Sequence, residues 1–71
     1  MPSSPERLAE LIGALEEIGE RMDAAVARAL DVARDATASD FVDVARQADS
    51  LRQQLLATRN RVSLLRRGLA S

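Results

Sequence analysis

The sequence predicts a single all-α domain, residues 1–71, in which two long helices fold back on each other as an antiparallel, coiled-coil-like hairpin. Apolar residues recur at alternating spacings of three and four, as in a helical seam, in two series that are out of phase. The chain has neither Gly nor Pro between Gly19 and Gly68, so nothing in that stretch forbids helix. With one aromatic residue, Phe41, and no Trp or Tyr, little in the composition favours strands.

The first helix is predicted to cover about residues 5–36. Ser4 can cap the free N–H groups of a first turn, and Pro5 suits the first helical position. The first apolar series then runs from Leu8 to Ala36. We expect residues 1–4 to form a disordered tail.

The two apolar series cannot lie on one straight helix. Continuing the first series beyond Ala36 would place the polar residues Ser39 and Asp43 on the seam. The chain is therefore predicted to reverse direction. We place the turn at residues 37–40 and the second helix at about residues 39–68.

Charge indicates that the two helices run antiparallel. From Glu6 to Glu20 the chain carries five acidic residues and one Arg, whereas after Asp49 it carries five Arg and no acidic residue. Antiparallel packing places these opposite charges side by side, although each exposed pair contributes only about 0 to 1 kcal/mol. The predicted hairpin seam consists of Leu8, Leu11, Leu15, Ile18, Met22, Val32, Phe41, Val44, Leu51, Leu55, Val62 and Leu65.

A second set of apolar residues is predicted to remain uncovered beside this seam. These residues occupy heptad positions on one side of both helices, where a hairpin alone offers them no partner. The stems of Arg52 and Arg59 would extend the same surface. A contiguous apolar surface on so small a protein is typical of an interface. The predicted partner-binding residues are Ile12, Val26, Leu30, Ala33, Val42, Ala45 and Leu56.

The sequence offers no recognisable catalytic or metal site. The chain contains no Cys or His and no Gly-rich phosphate loop, so we expect no enzymatic activity, metal or cofactor. A net charge of −1 and a single aromatic residue do not favour nucleic acid. No apolar run reaches the length of a membrane span, and the first five residues are too short for a secretory signal. The expected location is the bacterial cytoplasm.

One segment carries a resemblance to a known family. An acidic turn precedes an aromatic residue at the start of the second helix, followed by a rhythm of Gln, Ala and Leu. The residues concerned are Phe41, Arg46, Gln47, Ala48, Asp49, Ser50, Leu51 and Leu55. This segment resembles the small E component of bacterial type III secretion systems, a co-chaperone of the needle subunit. Family members usually have Tyr where this chain has Phe41, and the turn of this chain lacks Gly.

The resemblance implies a binding module that docks on a tetratricopeptide-type chaperone. Together the two proteins would keep the needle subunit monomeric before export. On this interpretation Ile12, Val26, Leu30, Val42 and Leu56 contact the chaperone.

A different class of function also fits the sequence. Two hairpins could form a homodimeric four-helix bundle that binds RNA through its Arg-rich end or outer face. A bundle with no activity beyond assembly is a third interpretation. In both cases the uncovered surface would be buried against a second copy of the chain.

Overall fold

The computed structural model describes residues 4–70, which form two long helices. Helix α1 spans Pro5–Ala38 and helix α2 spans Val42–Ala70. They pack against each other as a hairpin that measures 57 × 16 × 14 Å, and the described residues include no strand. The predicted all-α hairpin is confirmed. Neither helix is long and apolar enough to cross a membrane.

Helix α1 begins where the sequence predicted. The Ser4 Oγ accepts a hydrogen bond of 3.1 Å from the Arg7 N–H, and Pro5 occupies the first turn. Glu6 adds a negative charge at the positive end of the helix dipole. Of the predicted tail, Ser4 is the N-cap, and the other residues lie outside the described part of the chain.

The turn lies later in the chain than predicted, since α1 continues to Ala38 and α2 starts only at Val42, so residues 39–41 connect the helices. The Phe41 N–H donates to the Ala36 carbonyl at 2.8 Å, and the Asp40 N–H donates to the Thr37 carbonyl at 3.2 Å. Asp40 adopts a left-handed conformation with a φ of 61°. This pattern of bonds is a Schellman motif, in which the left-handed residue is usually Gly.

Thr37, which was predicted to begin the turn, lies within α1. Its hydroxyl donates to the Ala33 carbonyl at 2.8 Å, one turn back along the helix. A Thr bonded in this way remains part of the helix, so α1 is not interrupted at residue 37. Helix α2 likewise extends past its predicted end at residue 68, to Ala70.

The interior of the hairpin is thin. The buried residues among those described are three alanines, Ala29, Ala36 and Ala48, which are 6 to 8% exposed. All three lie toward the turn, where small side chains let the helix axes approach closely. Within residues 4–70 no large side chain is fully buried. The contact between the helices therefore removes little apolar surface from water.

Replacing Asp40 by Gly should stabilise the hairpin by about 0.5 to 1 kcal/mol, because Gly adopts the left-handed conformation without a steric penalty. Thermal and urea unfolding followed by circular dichroism measure the change. The matched control is Asp43→Gly, which should destabilise the protein, since Asp43 lies in the first turn of α2 with helical geometry. Equal effects of the two substitutions would contradict the left-handed turn.

Replacing Gly13 or Gly19 by Ala should stabilise the protein by up to about 1 kcal/mol each. Both residues lie inside α1, and an added Cβ would meet nothing within 4 Å at either position. A loss of stability in unfolding experiments would indicate a close neighbour that the isolated hairpin lacks.

Candidate interaction surface

The two helices contact each other along a different stripe from the predicted seam. On α1 the partly buried residues include Ile12, Gly19, Val26 and Ala33 in addition to the shared seam positions. On α2 the partly buried residues likewise include Ala45, Arg52, Arg59 and Arg66. Six of these eight residues follow a predicted seam residue by four positions, and Ala33 and Arg52 follow the buried residues Ala29 and Ala48 in the same way. Both helices are therefore rotated relative to the prediction.

The rotation divides the predicted seam into two groups. Half-buried between the helices are Leu8, Leu15, Met22, Leu55 and Val62. The other seven seam residues, which were predicted to be buried, are exposed: Leu11, Ile18, Val32, Phe41, Val44, Leu51 and Leu65. In a straight α-helix a residue four positions on lies about 40° from the starting residue, whereas one three positions on lies about 60° away. The nearer neighbour therefore enters the interface.

The predicted partner-binding surface is correspondingly less open than expected. Six of its seven residues are partly buried in the hairpin itself: Ile12, Val26, Leu30, Ala33, Ala45 and Leu56. Val42 is the exception, since it is 61% exposed beside the turn. We call the side of the hairpin that carries these residues and Arg52, Arg59 and Arg66 the closed side.

Ion pairs hold the closed side together. Arg59 of α2 pairs with Asp23 of α1, and the Arg66 Nη1 lies 3.6 Å from the Glu16 Oε1. Both pairs join the acidic half of α1 to the basic half of α2, as the antiparallel prediction requires. Arg52 instead pairs with Asp49 of its own helix at 2.9 Å, and its side chain is only 26% exposed.

The arginine stems therefore provide part of the apolar contact between the helices. Arg52, Arg59 and Arg66 follow one another at intervals of seven residues, so they lie in one row along α2. Each is partly buried, which places the methylene stem against the neighbouring helix while the charged group reaches an acid. The interval of seven was the signal in the sequence that could have identified this row.

On the opposite side of the hairpin the exposed seam residues form an apolar surface, which we call the open strip. Its large members are 45 to 55% exposed; of its two small members, Thr58 is exposed and Ala25 is partly buried. The strip residues of α1 and α2 lie next to each other. In an antiparallel pair, residues displaced in the same direction from the contact stripe of each helix lie on the same side of the hairpin. The open strip consists of Leu11, Ile18, Ala25, Val32, Val44, Leu51, Thr58 and Leu65.

The open strip is almost entirely apolar. The hydroxyl of its one polar member, Thr58, donates to the Gln54 carbonyl at 3.0 Å, so its hydrogen-bonding capacity is largely used within α2. Within residues 4–70 no group of three or more acidic side chains is placed to hold a metal ion. What the strip offers is contact with other apolar side chains. Phe41 and Val42, both more than 60% exposed, add a smaller apolar area at the turn.

No family model matches this sequence, and neither a curated protein nor a solved structure is significantly similar to it. The function of the hairpin therefore has to be inferred from its own surface.

Replacing Leu55 by Ala should cost about 2 kcal/mol, near the low end for a Leu in a core, because Leu55 lies half-buried between the helices. The control is Leu64→Ala, which should change stability by less than about 0.5 kcal/mol, since Leu64 is 63% exposed and lies off the open strip. Urea unfolding of the two variants measures the difference. Similar midpoints would contradict the placement of Leu55 between the helices.

Proposed function

We propose that the protein is a helical-hairpin binding module that docks through the open strip onto helices of a partner. The observation that carries the proposal is the exposure of six large apolar residues in two matched rows on one side of the hairpin. Soluble monomers rarely leave contiguous apolar surface of this extent uncovered unless it has a partner.

In its specific form, the proposal is that the partner is a tetratricopeptide-type chaperone and that the pair keeps a type III secretion needle subunit monomeric before export. This form is supported by the resemblance between residues 39–55 and the small E component of these secretion systems. A two-helix hairpin with an apolar face suits such a role, because amphipathic helices bind in hydrophobic grooves of helical proteins.

The proposed contacts differ from those that the sequence suggested. Ile12, Val26, Leu30 and Leu56 are partly engaged within the hairpin, so we assign the chaperone contact to the open strip, with Val42 near its turn end. Leu51 lies near the middle of the strip and is half exposed. It is therefore the residue whose replacement should affect docking most.

An RNA-binding role has weaker support. Two of the arginines toward the end of α2, Arg59 and Arg66, are paired with acidic residues of α1, which reduces their positive potential. Arg61 and Arg67 are exposed, but no aromatic side chain accompanies them as a stacking platform for bases.

Mixing the purified protein with the tetratricopeptide-type chaperone and the needle subunit from the same genome should give a ternary complex on gel filtration. Leu51→Glu should abolish this complex, because docking would bury a charge without a partner. Leu64→Glu places the same charge on an exposed part of α2 outside the strip and should leave the complex intact.

Circular dichroism of both variants checks that the helices are retained. The proposed role is wrong if the native chain leaves the needle subunit free to polymerise, or if the two Glu variants bind the chaperone equally well.

A further inference from the structure

We propose that, in the absence of another partner, the open strip is covered by the open strip of a second copy of this chain. The resulting homodimer is a four-helix bundle in which the two hairpins pack face to face. This inference rests on the proposed role of the open strip as a docking face, and it identifies one occupant.

The thin interior of the single hairpin favours association with a second copy. The buried residues among those described are three alanines, and the leucines between the helices are only partly covered. Chains of this size bury a smaller fraction of their surface than larger domains do, and they often need disulfides, metals or association. This chain contains no Cys or His, so association is the route that its composition leaves open.

The regular spacing of the strip residues along each helix also favours a second copy as the occupant. Along each helix its members recur every seven residues, which is a rise of about 10.5 Å. A second copy has the same spacing, so all layers of two facing strips can pack at once. The layers also combine large with small residues, since Ala25 and Thr58 belong to the central layers, which lets the opposing side chains interdigitate.

The charges beside the open strip also permit self-pairing. The polar residues that border the open strip carry both signs or none, and two identical faces therefore do not repel each other as faces of one sign would. On α1 the border includes Glu17, Arg21 and Arg28, and Arg21 already pairs with Glu17 at 2.8 Å. On α2 it includes Gln47, Gln54 and Arg61.

The area of the open strip is sufficient for self-pairing. From residue 11 to residue 32 the strip extends for about 32 Å, and the hairpin is 16 Å wide, so its footprint is about 500 Å². Two facing strips therefore bury about 1,000 Å² in total before the bordering Arg and Gln side chains are counted. Specific protein interfaces bury at least about 1,000 Å² in total.

Sedimentation equilibrium of the full chain over a series of micromolar concentrations tests the proposal. The expected mass is twice the 7.7 kDa of one chain, with a melting temperature that rises with protein concentration. Leu65→Glu should reduce the mass to that of one chain. Leu64→Glu is the matched control, because the side chain of Leu64 points about 100° away from that of Leu65 around the helix. This variant should remain dimeric.

A second variant guards against the possibility that Leu65→Glu fails to fold. Thr58→Leu adds apolar contact at a central layer without adding charge, and it should lower the dimer dissociation constant about tenfold or more. A monomeric native chain would overturn the proposal. An unchanged dissociation constant for Thr58→Leu, or equal loss of the dimer in Leu64→Glu and Leu65→Glu, would overturn it as well.

These outcomes are separate from those that test the proposed function. A native chain that is monomeric but binds the chaperone excludes self-pairing and leaves the co-chaperone role in place. A native chain that dimerises through the strip but does not bind the chaperone or protect the needle subunit excludes the co-chaperone role and leaves self-pairing in place.

Discussion

The architecture depends on one constraint, which is that each helix carries more apolar surface than a single neighbouring helix can cover. On α1 this surface extends from Leu11 across Leu15 to Ile12, an arc of about 100°. A hairpin supplies each helix with one neighbour, so only part of the arc can be buried. Which part is buried decides on which side the hairpin presents apolar surface to the solvent.

The closed side is favoured because it allows both close packing and charge pairing. Ala33 and Ala45 are small and partly buried, and the long stems of Arg59 and Arg66 are partly buried with them. The same arginines then reach Asp23 and Glu16. The other side has branched aliphatic residues such as Ile18 and Val32, and among residues 4–70 no ion pair joins the two helices there, so it is the side left open.

The helices, the reversal and the antiparallel direction could be predicted from the sequence because each depends on local or periodic signals. Ser4 caps α1 as its residue type predicts, and the break in phase after Ala36 locates the turn within a few residues. The rotation of the helices could not be predicted. The residues three and four positions after Leu15 are Ile18 and Gly19, and either could face the other helix. The seven-residue pattern assigns Ile18 to the seam because it is apolar, and it cannot show that Gly19 is the residue that faces α2.

Burial in this hairpin is graded along its length, and the gradient has a consequence for its motions. The most protected residues, Ala36 and Ala48, lie toward the turn. The interface near the chain ends consists of residues that are only partly buried, such as Leu8 and Leu69. Local unfolding proceeds most easily where few apolar contacts must be broken. The two chain ends therefore separate first and most often, and backbone amides exchange their hydrogens most slowly in the turns of helix that adjoin the reversal.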